Sequence, residues 1–410
     1  MIEILRMERL RAGSVRALAL GAIALLAAAA PAAAQQPDQS TEFQSGKIPG
    51  WSFTPSLAIG ATYDSNVALS TPRADLGFTE GDTFFNIVPG GELGYLGKYT
   101  DFSASYRGFM RRYLDLDALN SYDQRASVSV SRLMSRRLTL SARSNFGESA
   151  TTDDTEVNGV PFRRAGSRTN VLTAASDYRF TKYTSLSTRY DQTWVEFDRP
   201  DLFMTGGWIH GLRNELSHKL SERLALGGEY TFRTATLDRG DRSFTFQDAG
   251  GVVHLSVGPH TSATFAGGFA LLHDRNLDIT RTGPYVRASL TQDLERAKLG
   301  ATFERQYVPS FGFGGSSSNQ ELRGYVQMPL RPGLYTQGSA GWRRMDPFEL
   351  NVLQLDTLWI RSTLGYGIAR WAQVELLYTF TLQDSIVTGG EVSRHRIGAQ
   401  FVISQPMRIH

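Results

Sequence analysis

The chain has 410 residues, of which 41% are hydrophobic and 11% aromatic, with 40 Gly and no Cys. This composition is too polar for a helical membrane protein and too rich in aromatic side chains for a disordered one, and the lack of Cys excludes disulfides, thiolate metal sites and cysteine nucleophiles. The formal charge of +3 arises mostly in residues 1–34, so the nearly neutral remainder does not indicate a nucleic-acid partner.

The N-terminal segment, residues 1–34, has the pattern of a secretory signal peptide. A basic stretch that ends at Arg16 precedes the apolar run Ala17–Ala30, and Ala32 and Ala34 form an A-x-A cleavage pattern. This run is shorter than the ~20 residues that a helix needs to span a bilayer, which favours cleavage over the alternative of an uncleaved anchor. The sequence therefore predicts that the mature chain leaves the cytoplasm.

The mature chain is predicted to be all-β. After a polar lead-in at 35–54, expected to be flexible in the periplasm, segments of about 10–14 residues alternate apolar and polar side chains as far as residue 403. Leu224–Arg233 and Val374–Gln383 show this alternation most cleanly. A period of two places each set on one face of a strand, and such strands have at least the ~9–11 residues needed to cross a bilayer.

The connections between these segments alternate between short and long. Eight short turns and nine longer loops predict eighteen strands with both termini on the short-turn side, as in outer-membrane barrels with tight periplasmic turns. Sixteen strands is the alternative, because the segments after Arg168 and Asp248 are less regular. The predicted fold is one transmembrane antiparallel up-and-down β-barrel over residues 55–403. The longest internal loop, 147–167, is one candidate plug and the N-terminal lead-in is the other, and Gly312–Ser318 is interpreted as flexible loop sequence.

Tyr and Trp residues are predicted to form girdles at both membrane interfaces, because amphipathic rings favour the headgroup level. The group at the short turns comprises Tyr99, Tyr183, Tyr335 and Trp371. The group at the loops comprises Tyr63, Tyr113, Trp194, Trp208, Tyr307 and Trp342.

The last predicted strand resembles the C-terminal signal of bacterial outer-membrane barrels. Arg396, Gly398, Phe401 and Ile403 match its polar-x-Gly-x-x-aromatic-x-hydrophobic order. The resemblance implies that the barrel-assembly machinery reads this segment as a template for strand pairing. Such proteins usually stop at the aromatic residue, whereas here a short tail follows at 404–410.

The first strand and its surroundings resemble the type 2 family of β-barrel porins. The matching residues, which fall within 51–130, are Pro55, Leu57, Gly60, Tyr63, Asp64, Asn66, Val67, Asp82, Thr83, Phe85, Ile87, Pro89, Arg112, Tyr113, Tyr122 and Asp123. Several members of that family are tied to export of capsular or secreted polysaccharide, so the resemblance implies a polysaccharide conduit with export components as partners. Family members often have Asp where this chain has Ser65.

The face predicted to line the lumen carries many charged side chains, for which a polar lumen provides partners or water. Its arginines are Arg107, Arg125, Arg143, Arg179, Arg189, Arg213, Arg233, Arg287, Arg323, Arg343, Arg361 and Arg396. Its acids are Asp64, Glu92, Asp191, Glu215, Glu229, Asp248, Glu304, Glu321 and Glu375. Most are interpreted as cross-strand ion pairs that stiffen the wall. The modest excess of Arg also favours anionic solutes or acidic sugars, because guanidinium groups match carboxylates.

No cofactor and no metal site is predicted. The seven His residues have no metal-ligand spacing. The segment Asp154–Gly159 resembles part of a calcium loop, but Ala165 stands where the bidentate Glu is expected. A catalytic group of Asp153, Asp154 and His210 is conceivable, but paired Asp residues in loops ordinarily form turns, and no enzyme is predicted.

The sequence thus predicts a porin-like channel in the bacterial outer membrane that passes an exported surface polysaccharide or small anionic solutes. The alternative is a structural or adhesive surface barrel with a plugged lumen. The expected surroundings are outer-membrane lipid and lipopolysaccharide.

Overall fold

The structure is a computed structural model that describes residues 49–69, 80–154, 159–198, 204–238, 242–348, 354–385 and 390–409. The predicted signal peptide, most of the predicted lead-in and residues 155–158 of the calcium-like segment lie outside these described residues. In the part of the chain that is described, no helix is long and apolar enough to cross a membrane.

The described chain consists almost entirely of antiparallel strands. The first nine are β1 (Gly50–Asp64), β2 (Asp82–Leu96), β3 (Thr100–Tyr113), β4 (Ser121–Ser135), β5 (Leu138–Ser149), β6 (Ser167–Arg179), β7 (Thr184–Phe197), β8 (Gly207–Lys219) and β9 (Leu224–Leu237). The others are β10 (Arg242–Gly258), β11 (Thr261–Asp274), β12 (Ile279–Leu294), β13 (Ala297–Ser310), β14 (Gly315–Arg331), β15 (Leu334–Pro347), β16 (Leu355–Ala369), β17 (Ala372–Ser385), β18 (Gly390–Ser404) and the short β19 (Met407–Ile409). Two single 3₁₀ turns, Asp117–Leu119 and Thr152–Asp154, lie in loops.

These strands form a closed up-and-down barrel. Each of the first seventeen pairs with the next along the chain, and β18 pairs back to β1, where Gly398 lies opposite Thr62. The prediction of eighteen strands is confirmed. The sixteen-strand alternative fails because β6 and β10, which contain the less regular segments, are continuous and are paired on both sides along most of their length.

The barrel extends past the predicted limits of 55 and 403. Strand β1 already begins at Gly50, and Met407–Ile409 pairs with Trp51–Phe53 as β19. Most of the predicted tail is therefore part of the wall. The reason is the length of β1: without β19 its first residues would present an unpaired backbone edge.

The outer surface of the wall is apolar. Side chains such as Ile59, Phe269 and Ile397 are 52%, 80% and 59% exposed, while alternate residues on the same strands face inward. Closure pairs the long strands on both sides over most of their length, and an apolar outer band is the arrangement that a lipid bilayer requires. The chain is an outer-membrane β-barrel protein.

Three of the predicted girdle residues lie elsewhere. Tyr99 and Trp371 are exposed at the short-turn end, but Tyr113 and Tyr307 are buried and Tyr335 donates a hydrogen bond of 2.5 Å to Glu375 inside the barrel. An amphipathic ring is stabilised equally by a polar partner in the lumen, and the position of a Tyr in the chain does not distinguish the two sites.

Candidate functional site

A polar cavity of about 240 Å³ lies in the half of the lumen bounded by β1–β4 and β15–β18. Its walls run from Thr54 and Ser404, near the short-turn end, to Arg111 and Asp154, below the loops. Strand alternation builds these walls, because every second residue of β1 from Thr54 to Thr62 points inward while its neighbours face lipid.

The cavity is basic. Its lining includes more guanidinium groups, from Arg107, Arg111, Arg125, Arg361 and Arg396, than carboxyl groups, from Glu92 and Asp154. The guanidinium of Arg125 lies 5.3 Å from the ring centroid of Phe109. The positive charge is therefore spread over β3, β4, β16 and β18, on opposite sides of the cavity.

The described parts of the loop between β5 and β6, residues 150–154 and 159–166 and called the inward loop below, fold into the lumen and cover the cavity. Arg394 of β18 joins this loop to the wall. Arg394 Nη1 donates to Asp153 at 2.8 and 2.9 Å, and Arg394 Nε donates to Asp64 Oδ1 at 2.9 Å. The three side chains are at most 2% exposed. Because a buried charge is tolerated only when it is paired, this trio holds the inward loop in place.

A second group of ion pairs adjoins the first. Asp154 Oδ1 lies 3.0 Å from Arg396 Nη1, and its other oxygen lies 3.2 Å from Arg111 Nη2. The other terminal nitrogen of Arg111, Nη1, lies 2.9 Å from Asp123. Burial by itself raises the pKa of the Asp154 carboxyl, but Arg396 and Arg111 together hold that pKa well below its usual range. Asp154 is therefore ionised at neutral pH.

The far side of the inward loop is attached to other strands. Phe162 N donates to Gln383 Oε1 at 2.7 Å, and Gln383 Nε2 donates to the carbonyl of Val160 at 3.2 Å. Gly159 has φ +73° and lies against Ser310, where a β-carbon would overlap the serine. Only glycine fits this left-handed, crowded position without strain. The inward loop thus crosses the lumen from β5–β6 to β13 and β17.

The upper ends of β13 and β14 also turn into the lumen, as a hairpin of residues 306–319 called the inward hairpin below. Residues 307–312 and 315–319 are buried on both strand faces. Gly312 N donates to the carbonyl of Thr205 at 2.9 Å, which ties the hairpin to the β7–β8 loop. The prediction of a flexible loop at Gly312–Ser318 is wrong, because most of these residues form a buried strand.

An apolar cluster fills the lumen behind β7–β13. Its buried members are Val160, Ala165, Val195, Phe197, Met204, Ala235, Leu237, Phe244, Phe246, Val252, Ala266, Ala270, Leu272, Tyr285, Tyr307 and Phe311. Several of them come from loops and from the inward hairpin, so hydrophobic burial holds these segments inside the barrel. The cavity is confined to the opposite half.

Below the cluster, charged side chains of β8, β9, β10 and β12 form one network. Glu229 accepts from Tyr285 Oη at 2.8 Å and from Arg287 Nη2 at 2.7 Å. Arg287 also lies 3.8 Å from Glu215, which contacts His254 Nε2 at 2.7 Å. Each carboxylate has a cationic partner, so this network stiffens the wall as the sequence interpretation expects of most lumen charges.

On β14–β16 the inner wall carries an aromatic ring between two arginines. The guanidinium carbons of Arg323 and Arg343 each lie 5.6 Å from the ring centroid of Trp359, and Arg343 Nε donates to Glu321 at 2.7 Å. Gly341 leaves room for the indole, since a β-carbon there would overlap it. Planar guanidinium groups pack well on such a ring.

The remaining predicted lumen residues are placed on the inner wall by these contacts and by strand register. Arg213 donates to Thr231 at 3.2 Å, Arg233 pairs with Asp248 at 2.8 Å, and Arg189 pairs with Asp191 of its own strand at 2.9 Å. Glu375 accepts from Gln400, which lines the cavity. The register partners are Arg143 with Ser129, Glu304 with Arg287, and Arg179 with Ser185.

Two central residues, Arg111 and Arg394, are not among those predicted from the sequence. Arg111 has the same alternation phase as Arg107, and Arg394 has the same phase as Arg396, and both Arg107 and Arg396 are predicted lumen residues. This shared phase is the signal in the sequence that could have identified Arg111 and Arg394. The conceivable catalytic group is not assembled: Asp153 is inside the lumen, whereas His210 stacks on Trp208 on the outer face. No group of acids and His suited to a metal occurs within the described ranges.

The predicted assembly signal lies in β18 at the seam of the barrel. Phe401 and Ile403 face lipid and are each 38% exposed, while Arg396 and Gly398 face the lumen opposite Asp64 and Thr62. Gly398 fits closely, because a β-carbon there would overlap the Thr62 hydroxyl. Reading of this segment by the assembly machinery stays a prediction.

Comparison with known proteins does not assign the chain to a family. No protein-family model matches the sequence, and no curated protein does either. Among solved structures, OccAB4 of Acinetobacter baumannii is 8% identical with a TM-score of 0.44, over 87% of this chain and 98% of that one. The outer membrane protein opdK of Pseudomonas aeruginosa is 11% identical with a TM-score of 0.43, over 86% and 99%. The siderophore receptor PirA of the same species is 9% identical with a TM-score of 0.42, over 88% and 81%.

Proposed function

We propose that the protein is a porin-like outer-membrane channel for small anionic solutes. The observation that carries this proposal is the basic cavity of about 240 Å³, with guanidinium groups on opposite walls below the inward loop. Guanidinium forks match the geometry of carboxylates, and charged rings in a pore select ions of the opposite sign.

The size and position of the cavity favour a small solute over a polymer. The inward loop and the inward hairpin occupy part of the loop end of the lumen, which narrows the space left there for a permeating molecule. A polysaccharide conduit, which the resemblance to type 2 porins implies, needs a continuous wide path lined by stacking rings. The polysaccharide therefore remains the second candidate, with that resemblance in residues 51–130 as its support.

Selectivity of single channels tests the proposal. The mature chain, residues 35–410, is refolded into planar bilayers, and the reversal potential is measured in a KCl gradient. Anion preference is expected, and it is expected to fall in Arg125→Gln and Arg361→Gln, which each remove one cavity charge. Arg132→Gln is the matched control, because Arg132 lies on the same strand as Arg125 with the opposite alternation phase and is exposed.

Each outcome has a distinct meaning. Cation preference, or an equal change in the Arg132→Gln control, contradicts the proposal. If an acidic oligosaccharide blocks the current and small carboxylates have no effect, the result supports the second candidate function, a polysaccharide conduit. A folded barrel with no conductance supports a surface protein with a plugged lumen, which the buried inward hairpin favours.

A further inference from the structure

The wall of the barrel is interrupted between β12 and β13 at the loop end. The two strands are paired from Leu294 and Ala297 up to Val286 and Arg305. Beyond that point β12 continues to Ile279 paired with β11 alone, and β13 continues to Ser310 paired with β14 alone. Residues 279–285 and 306–310 thus form facing strand edges with no backbone pairing between them.

The two edges separate because β13 turns inward while β12 does not. Residues 279–282 are exposed, whereas residues 307–310 are buried on both faces. Each unpaired stretch contains a proline, Pro284 on β12 and Pro309 on β13. Proline has no N–H to donate to a sheet ladder, so these positions favour the end of pairing.

Side chains close this break where the backbone does not. The hydroxyl of Tyr307 sits against Gly283, where any β-carbon would overlap it. The Tyr307 ring packs edge-on against Phe348 with 5.1 Å between centroids, and the Arg281 guanidinium lies 4.9 Å from the Phe348 centroid. Three side chains thus occupy a place where neighbouring strands normally share a ladder of hydrogen bonds, and side chains move far faster than paired strands separate.

The surroundings on the two sides of the break are apolar. Inside, Tyr307 belongs to the buried apolar cluster together with Leu272 and Phe311. Outside, Phe269 lies opposite Pro284 at the foot of the break and is 80% exposed on the lipid-facing surface. Among the residues that the structure describes, the Tyr307 and Phe348 side chains lie at this level between lipid chains and the apolar interior.

A positive charge lies at the outer side of the break. Arg305 stands at its foot opposite Val286, on the outward face, whereas Arg281 shares the inward alternation phase of Tyr285 and packs on Phe348. An anionic headgroup at the outer side of the break would meet Arg305, since arginine binds phosphate and carboxylate through two parallel hydrogen bonds. Charge and apolar surface together match one class of molecule, an amphiphile with an acyl chain and an anionic head.

We propose that this break is a lateral opening through which the acyl chain of an anionic amphiphile enters the barrel from the outer leaflet. The chain passes between β12 and β13 when Tyr307 and Phe348 turn aside, and it contacts the apolar cluster. Arg305 holds the headgroup at the outer side of the break. This site is separate from the basic cavity and does not require ion conduction.

Photolabelling of the full mature barrel in liposomes tests the proposal. The probe is a long-chain fatty acid with a diazirine near the end of its chain, and labelled residues are identified by mass spectrometry. Labelling of outward residues such as Phe265 is expected whether or not the opening exists. The proposal requires in addition saturable labelling of the inward residues Leu272 and Phe246, suppressed by unlabelled fatty acid.

Variants sharpen the test. Tyr307→Ala is expected to raise inward labelling several-fold, and Arg305→Gln to lower it. Tyr230→Ala, which removes an outward Tyr from a fully paired part of the wall, is expected to leave it unchanged. Labelling confined to outward residues, or inward labelling that Tyr230→Ala changes as much as Tyr307→Ala does, overturns the proposal. Each variant is shown to be folded when, without heating, it still migrates as the folded band in SDS gel electrophoresis.

Discussion

Removing the Arg394 side chain is expected to release the inward loop. Arg394 is 2% exposed and pairs with Asp64 and Asp153, which are 0% and 1% exposed. In Arg394→Ala both carboxylates remain buried without their main cation. Breaking a buried ion pair in this way costs about 3–5 kcal/mol, and each 1.4 kcal/mol changes an equilibrium about tenfold. The population of released loop should therefore rise by about two orders of magnitude or more.

Trypsin cleavage after Arg163, an exposed residue of the inward loop, measures this release. Cleavage of refolded Arg394→Ala is expected to be much faster than that of the unmodified chain. Arg189→Ala is the matched control, because Arg189 and Asp191 form a half-exposed pair of a kind worth about 0–1 kcal/mol. Adding Asp153→Asn to Arg394→Ala removes one of the two buried carboxylates that have lost their main cation, and this should slow cleavage again. Equal cleavage rates in Arg394→Ala and Arg189→Ala would refute the reasoning.

Protonation, backbone strain and strand pairing each give a further prediction. Arg396 and Arg111 lower the pKa of Asp154. The contribution of the Asp154 carboxylate to loop attachment is therefore complete above the ordinary carboxyl pKa of about 3.9 and is lost only as the pH falls through its lower pKa in the folded protein. A midpoint of loop release above about pH 3.9 in the trypsin assay would contradict this. Gly159→Ala should loosen the inward loop by about 1–3 kcal/mol, since Gly159 has φ +73°; cleavage should accelerate, whereas Gly147→Ala in β5, with only the Thr169 hydroxyl nearby, should have little effect. Deleting residues 407–410 should lower the temperature at which the barrel unfolds in SDS, because Trp51–Phe53 lose their partner strand. Arg408→Ala is the control, because it keeps that backbone pairing. Equal unfolding temperatures for the two variants would exclude a role for β19 in stability.

Strand number and strand faces are predictable because alternation is a local property of the sequence. A residue such as Phe401 reveals its face through its immediate neighbours, and the pattern repeats along every strand. Charged residues of the right phase, such as Arg107 and Arg361, can therefore be assigned to the inner wall from the amino-acid sequence alone.

The contents of the lumen cannot be predicted in the same way, because they depend on distant partners. Asp153 meets Arg394 across 241 positions of the chain, and nothing in the local sequence of the inward loop identifies that partner. The inward hairpin escapes prediction for a related reason: its Gly and Ser residues are typical of loops, and only burial under neighbouring segments makes them strand. The sequence places Tyr307 at the membrane interface because a ring at the end of a strand suits both environments.

The pairing of Arg394 with Asp64 has a consequence for biogenesis. Arg394 and Asp64 belong to the last and the first long strands and lie 330 positions apart. They therefore meet only when β18 pairs with β1 and closes the barrel. Contacts of such separation carry the largest loop-closure cost and form late. Asp153 shares the same guanidinium, so the inward loop gains this contact, in addition to those with Arg111 and Gln383, only when the seam forms. Closing the seam is therefore expected to complete the attachment of the inward loop, and a barrel whose seam is still open is expected to hold its entrance less firmly covered than a complete one.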